Sequence, residues 1–220
     1  MNFDLAFALS IFPALAHAAL TTIAATALGY ASALVGGLAF ALLRLHGPAR
    51  LRPVIAFVLE FIRSTPLLVQ IFFLYFISPR FGLRLGAFET GIVALGLHYG
   101  AYLAEVFRAG FQAVSAGQWE AAYGLGLHRW QCYRLVILPQ IIPPLIPAFG
   151  NYLILMFKDT PLLSAVSVLE LMQTAKLIGS ETFRYLEPLT IVAGFFLAMS
   201  LVSAFLIKAA EKHYQRWMVR

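Results

Sequence analysis

Residues 5–43 read LAFALSIFPALAHAALTTIAATALGYASALVGGLAFALL and contain no Asp, Glu, Lys or Arg. A helix that crosses a bilayer needs about 20 predominantly apolar residues, so this run is longer than one crossing requires. Pro13 and His17 interrupt its first part, and we therefore expect a short outer segment followed by a membrane span over residues 20–43. The stretch predicts an integral membrane protein.

Small residues recur every four positions inside this span, at Ala25, Gly29, Ala33, Gly37 and Ala41. This spacing places them on one ridge of a helix. Small side chains let the backbone of a second membrane helix come close. We therefore expect a neighbouring span to pack against this ridge.

The composition of the whole chain supports the membrane assignment. Of its 220 residues, 61% are hydrophobic and 12% are charged, whereas soluble domains have about half apolar and about a quarter charged residues. So low a charge content leaves too little polar surface for a water-soluble fold. The single cysteine, Cys132, excludes an internal disulfide, and no Lys/Arg-rich start marks a cleavable signal peptide.

Four further apolar stretches follow, over residues 64–77, 87–107, 139–157 and 188–207. We therefore predict an all-α, polytopic membrane protein with about five transmembrane helices in a single domain over residues 1–220. Residues 53–63 read as an interfacial segment, and residues 160–187 are amphipathic. Prolines crowd the first half of the fourth span, so we expect that half to be bent or unwound. These prolines are Pro139, Pro143, Pro144 and Pro147.

The distribution of basic residues predicts the orientation of the chain in the membrane. With five spans, eleven Lys and Arg residues fall on one side and five on the other. Because basic residues are in excess on the cytoplasmic side, we expect the N-terminus outside, and the 108–138 loop and the C-terminal tail in the cytoplasm. The net charge of +6 has the same explanation, which disfavours nucleic-acid binding. The eleven are Arg44, Arg50, Arg52, Arg63, Arg108, Arg129, Arg134, Lys208, Lys212, Arg216 and Arg220.

The 108–138 loop is the longest polar interruption of the apolar pattern. It contains Glu120-Ala121-Ala122, followed by Gly126, and it leads into Leu138-Pro139. Small residues give such an element a bare surface that could dock in the groove of a partner protein. An ordinary surface loop explains the composition equally well, so composition leaves both interpretations open.

The pattern Glu-Ala-Ala, three residues, Gly, nine residues, Val136, one residue, Leu-Pro resembles the EAA loop of ABC importer permeases, with Val136 in place of the usual Ile. Residues 61–70 (FIRSTPLLVQ) and 100–108 (GAYLAEVFR) are similar to stretches of the polar amino acid permease subfamily, as are residues 117–122 and 158–160. Ser64, His98-Tyr99 and Pro161 depart from the residues that are usual there.

The resemblance implies a type I ABC importer permease fold in a bacterial inner membrane and an amino acid as substrate. It implies two permease chains, identical or paired, two cytoplasmic ABC ATPase subunits and an extracytoplasmic substrate-binding protein. The ATPase-coupling residues would be Glu120, Ala121, Ala122, Gly126, Leu138 and Pro139. The chain lacks the G-x-x-x-x-G-K-[ST] phosphate loop. We therefore expect no enzyme, cofactor or metal site here, with ATP and Mg²⁺ bound by the partner ATPase.

Charged and polar residues inside spans are candidates for function, because they are costly in a bilayer. His98, Tyr102 and Glu105 share one stripe of the third span, and small residues occupy the opposite face. We predict that this stripe faces the substrate pathway. The alternative for Glu105 is an ion pair with Arg108 or Arg63.

Lys158, Asp159 and Thr160 end the fourth span and complete the predicted pathway residues. Polar groups at broken membrane helices can bind the carboxylate or ammonium group of a substrate, and acidic residues would suit a cationic amino acid. The alternative is a salt bridge at a helix end.

Two other classes of membrane protein are alternatives to an ABC importer permease. An ion-driven secondary transporter usually has more spans arranged in inverted repeats, and no segment of this sequence recurs. A structural membrane subunit would not need the polar stripe.

Overall fold

The computed structural model describes residues 3–218, and every regular element in that range is helical. The expected all-α fold is therefore confirmed for the described residues. Arg220, the last residue of the expected basic tail, lies outside them. The α-helices are α1 (Leu5–His46), α2 (Leu51–Ser64), α3 (Leu67–Phe72), α4 (Ala87–Ala113), α5 (Ala116–Gly124), α6 (Arg129–Gln131), α7 (Leu138–Asp159), α8 (Leu171–Thr182) and α9 (Leu186–Met218).

The first apolar run forms one helix of 42 residues, so the expected break into an outer segment and a span is wrong. The carboxylate of Asp4 caps its N-terminus by accepting a hydrogen bond from the N–H of Phe7 at 3.1 Å. Pro13 lies inside the helix. Ile11 and Leu15 pack with Leu171 of α8 in a separate apolar cluster, which holds the first half of α1 continuous past the proline.

The second expected span begins at a sharp bend. Helices α2 and α3 meet at 106°, where Thr65 is extended and Pro66 has φ −61°. Proline has no N–H and disfavours helical geometry in the residue before it, so α2 ends there. After α3 the chain continues through a π-helical turn, Phe73–Ile77, and a 3₁₀ turn, Ser78–Phe81.

In the described part of the chain, three helical stretches are long and apolar enough to cross a bilayer: Leu5–His46, Arg129–Val166 and Leu186–Tyr214. The bent pair of α2 and α3 is a fourth if it is counted as one span. The remaining expected span, residues 87–107, lies within α4, which is long enough to cross but is less apolar. Its neighbours cover much of α4, which lets it carry polar side chains away from lipid.

The fourth expected span remains α-helical through its prolines, so the expected unwinding does not occur. Pro139 stands in the first turn of α7, where no backbone N–H is required. The irregular backbone comes earlier, in a π-helical turn over Cys132–Ile137. The 3₁₀ helix Thr160–Val166 follows α7.

Helices α1 and α4 pack closely along the predicted ridge of small residues. All five ridge residues are buried, and so are Gly96, Gly100 and Ala104 on α4. A Cβ built on Gly37 would lie 3.0 Å from the carbonyl oxygen of Gly100 and 3.1 Å from the nitrogen of Ala104. The expectation of a close-packed helix pair is confirmed, with the two backbones nearly in contact.

Charged groups near the N-terminus form a network of ion pairs and hydrogen bonds. Arg184 lies 3.1 Å from Asp4 and 2.9 Å from Glu187, and its guanidinium lies 4.2 Å from the ring centroid of Phe7. The N–H of Asp4 also donates to Glu187 at 3.0 Å. The Phe7 N–H and the Arg184 guanidinium hold the pKa of the Asp4 carboxyl below its usual value. These contacts tie the start of α1 to the start of α9.

Gly37 and Gly36 offer a matched pair for testing the seam. We expect Gly37→Ala to lower the free energy of unfolding by about 1–3 kcal/mol, because the added methyl group overpacks the α1–α4 contact. Gly36 has no atom within 4 Å of an added Cβ, so Gly36→Ala should leave stability unchanged or raise it. Thermal unfolding of both variants in detergent checks this, and equal shifts would contradict the close approach at Gly37.

Candidate functional site

Six polar or aromatic side chains meet inside the bundle, where α3, α4 and α7 converge. We call them the polar cluster. None of these six side chains is exposed, although the helices around them otherwise present apolar side chains. The members are Gln70, His98, Tyr99, Tyr102, Tyr152 and Asp159.

Hydrogen bonds connect the cluster to three helices. The hydroxyl of Tyr99 donates to Oδ2 of Asp159 at 2.6 Å, which joins α4 to α7. Nδ1 of His98 lies 3.3 Å from Oε1 of Gln70, which joins α4 to α3. The hydroxyl of Tyr102 donates to the carbonyl oxygen of Arg63 at 3.3 Å. The cluster thus contains one carboxylate, one imidazole and several hydroxyl groups.

Four rings form the apolar walls of the cluster. The ring of Tyr102 lies 5.3 Å from that of His98 and 5.6 Å from that of Tyr152, measured between centroids. Tyr99 and Tyr152 lie 6.4 Å apart, at 72°. Aromatic faces attract cations, so rings around a carboxylate make an environment suited to an ammonium or guanidinium group. In residues 3–218 no three His, Cys, Asp or Glu side chains come together as a metal site would require.

The predicted pathway residues are only partly brought together. His98, Tyr102 and Asp159 belong to the cluster. Lys158 is exposed, and no ion pair joins it to any residue of the described range. Thr160 is fully buried, and its hydroxyl donates to the carbonyl oxygen of Phe157 at 2.8 Å. Of the Lys-Asp-Thr triplet, Asp159 alone lies in the cluster.

Glu105 pairs with arginines and is not part of the polar cluster. One oxygen pairs with Nη1 of Arg44, and the other lies 2.7 Å from Nε of Arg108. The sequence suggested Arg108 as a partner of Glu105, but it did not suggest Arg44. The pairing with Arg44 joins the C-terminal part of α1 to α4, beyond the small-residue seam.

Gln70, Tyr99 and Tyr152 were missed as site residues. The amide of Gln70 donates to the carbonyl oxygen of Ile62 at 2.7 Å and to the Thr65 hydroxyl at 2.8 Å, so it caps the end of α2 across the bend. Gln70 reaches His98 because the chain turns back at Pro66. The sequence signal for Gln70 was its position four residues after Pro66, inside an apolar run.

The segment that resembles the EAA loop forms a short helix at the end of the bundle. In α5, Glu120 and Ala121 are exposed, whereas Ala122 is 2% exposed. Ala122 packs in the largest cluster of buried apolar residues, which we call the main core. Gly126 has φ +74°, a conformation that disfavours a side chain. Leu125 beside it is 80% exposed.

The six predicted coupling residues differ in exposure, because Ala122 is buried. Leu138 and Pro139 begin α7 and lie after the π-helical turn, apart in sequence from α5. Leu138 is half-buried against the main core, and Pro139 is exposed. Tyr123 and Leu125 are exposed apolar residues of the α5 segment that sequence reasoning did not select.

A helical bundle with several helices long and apolar enough to span a membrane, and a polar cluster between its helices, defines a polytopic membrane protein. The chain belongs to the family of binding-protein-dependent transport system inner membrane components, whose model matches residues 33–216. Members of this family are polytopic inner-membrane permease subunits and are not enzymes.

Two relatives are similar over nearly the whole chain. A probable amino-acid ABC transporter permease of Sinorhizobium fredii is 46% identical over 210 residues, which are 96% of this chain and 91% of that protein. The glutamine transport system permease protein of Escherichia coli strain K12 is 35% identical over 214 residues, which are 96% of this chain and 98% of that protein.

A solved structure is similar in fold. The crystal structure of an amino acid ABC transporter with histidines has a chain that superposes with a TM-score of 0.87 at 35% identity, covering 97% of this chain and 100% of that one. The resemblance of this sequence to the polar amino acid permease subfamily is confirmed, and the ion-driven and structural alternatives gain no support.

The two carboxylates Glu105 and Glu60 allow a test of the Arg44 contact. Glu105 is 19% exposed and pairs with two arginines, whereas Glu60 is 64% exposed and pairs with Arg63 alone. We expect Glu105→Gln to lower the free energy of unfolding by about 2 kcal/mol, because it leaves two half-buried arginines without their carboxylate. Glu60→Gln should change it by less than about 1 kcal/mol. Chemical denaturation of the two variants checks this, and similar losses would refute the Glu105 assignment.

Proposed function

We propose that this chain is a permease subunit of an ABC importer that carries polar, and above all cationic, amino acids into the cytoplasm. The observation that carries the proposal is the polar cluster around Asp159 in a chain of this family. The names of its relatives supply the class of substrate, and the cluster supplies the chemistry that would bind it.

Asp159 is the residue that we expect to bind the substrate. Within the described residues no Lys, Arg or His lies at ion-pair distance from its carboxylate. A charge that lies among membrane helices without a counterion is costly, so a cationic ligand gains free energy by neutralising it. The rings of His98, Tyr99, Tyr102 and Tyr152 would surround that cation, and Gln70 would add a hydrogen-bonding amide.

The exposed face of α5 is the surface that we expect to contact a cytoplasmic ABC ATPase. Glu120 and Ala121 project from the bundle, and the αL conformation of Gly126 ends the segment in a tight turn that leaves Leu125 exposed. Ala122 anchors the same short helix in the core. The α5 segment can therefore move with the ATPase while Ala122 keeps it attached to the permease.

The assembly that we propose contains two permease chains, two ATPase subunits and an extracytoplasmic substrate-binding protein. ATP and Mg²⁺ would be held by the ATPase. The excess of basic residues on the side of α5 supports a cytoplasmic location for α5 and for the C-terminus, with the N-terminus outside. This orientation would put the polar cluster between the proposed binding protein and the cytoplasm.

Asp159 and its neighbour Lys158 provide the test of substrate binding. In proteoliposomes that contain the chain with its ATPase and binding protein, we expect Asp159→Asn to lower ATP-driven uptake of cationic amino acids by about tenfold or more, because a charge-assisted contact is lost. Lys158→Gln should stay within about twofold, because this exposed lysine makes no ion pair in the described structure. Wild-type uptake by Asp159→Asn would overturn the substrate assignment.

Gly126 and Gly124 provide the corresponding test of ATPase coupling. A side chain at Gly126, with φ +74°, strains the backbone by about 1–2 kcal/mol, so we expect Gly126→Ala to weaken ATPase association about fivefold. Gly124 ends α5 outside the left-handed region and has open space around it. Gly124→Ala should therefore bind the ATPase as the wild type does. Co-purification at graded ATPase concentrations measures this, and equal binding by both variants would argue against the role of this turn.

A further inference from the structure

Tyr133 lies where the α5 segment meets the helical bundle. Its hydroxyl forms a hydrogen bond with Nε2 of His46, the last residue of α1. Its ring lies 5.9 Å from that of Phe111 in α4 and 5.2 Å from that of Trp119 in α5, both edge to face. One half-buried side chain therefore contacts the cytoplasmic ends of α1 and α4 together with the middle of α5.

Two other contacts attach α5 in the described structure. Oε1 of Gln118 accepts a hydrogen bond from Nε2 of Gln140 at 3.1 Å. This hydrogen bond is exposed, as is the one between Tyr133 and His46, so water competes for both. Ala122 is buried, but its side chain is a single methyl group. The edge-to-face rings of Trp119 and Tyr133 join α5 to the residues that lead into α7 through apolar surface.

Tyr133 contacts the ends of α1 and α4, and α4 carries three of the six residues of the polar cluster. His46 follows Arg44, whose ion pair with Glu105 joins α1 to α4. The small-residue seam joins the same two helices along their length. A displacement of either end is thus passed to both helices together, because coupling between sites travels through packed side chains and hydrogen-bonded networks.

We propose that Tyr133 is the positioning residue that transmits movement of α5 to α1 and α4, and through them to the polar cluster. It has this role only if the chain works with an ABC ATPase as proposed above. The ring carries the contacts to α4 and α5 and also lies 5.7 Å from the His46 ring, edge to face, and the hydroxyl adds the hydrogen bond to α1. Its place in a π-helical turn fits this role, since such turns are frequent at functional sites.

The test measures how many amino acids are imported per ATP hydrolysed by the complete complex in proteoliposomes. Tyr133→Leu keeps an apolar side chain but removes the ring contacts and the hydroxyl. We expect it to lower this ratio about tenfold, within the range of ordinary coupling energies, while the amount of bound ATPase stays at the wild-type level. Tyr133→Phe keeps the ring, and its ratio of import to ATP hydrolysis should lie within about threefold of the wild-type ratio.

The hydroxyl is tested separately from the ring. Tyr133→Phe removes only the hydrogen bond to His46, whereas His46→Ala also removes a ring that lies 5.7 Å from that of Tyr133. The loss in His46→Ala should therefore be at least as large as that in Tyr133→Phe, and the double variant should be no worse than His46→Ala. Gln118→Ala is the matched control, because it removes the other side-chain attachment of α5 and should leave the ratio unchanged. Cys132, which is fully buried beside Tyr133, should remain unreactive towards a thiol reagent in all variants.

The outcomes separate this proposal from the proposed function. A wild-type complex without ATP-dependent uptake would refute the importer itself. A working wild type with an unchanged ratio in Tyr133→Leu would overturn the role of Tyr133 alone. If Tyr133→Leu fails to assemble, the hydroxyl pair decides: a lower ratio in both Tyr133→Phe and His46→Ala, with no further loss in the double variant beyond that of His46→Ala, supports the role, and unchanged ratios in both overturn it.

Discussion

The close packing of α1 against α4 is the contact on which the other parts of the structure depend. Membrane helices gain no hydrophobic driving force from each other, so they associate through tight packing and polar contacts. Glycines at positions 29, 37, 96 and 100 bring the two backbones together. This places α4 inside the bundle, where it can carry a histidine, two tyrosines and a glutamate that lipid would not tolerate on an exposed face.

Three polar side chains of α4 find partners on three different neighbouring helices. Gln70 approaches His98 because Pro66 turns the chain, Asp159 approaches Tyr99 from the end of α7, and Arg44 approaches Glu105 from α1. Polar groups in a membrane must find partners within the protein. The same contacts that stabilise the bundle hold the Asp159 carboxylate in a cluster with aromatic side chains, and this is the cluster that we propose to bind a cation.

The sequence predicted features that follow from local periodicity. The ridge at Ala25, Gly29 and Ala33 was readable because a helix repeats every 3.6 residues, and His98 and Tyr102 fell on one stripe for the same reason. Gln70, Tyr152 and the Arg44 partner of Glu105 were not predicted. Their roles depend on how separate helices cross and on the 106° bend, which a one-dimensional pattern does not contain. The prolines of α7 predicted a bent or unwound half, and the helix is not unwound.

Transport by the wild-type assembly shows whether ATP hydrolysis drives this permease. Uptake of a radiolabelled cationic amino acid would be measured in proteoliposomes with ATP supplied on the ATPase side, and again with only a proton or sodium gradient. We expect uptake that requires ATP, the ATPase and the binding protein, and none with an ion gradient alone. Uptake that an ion gradient drives in the absence of the ATPase would contradict it.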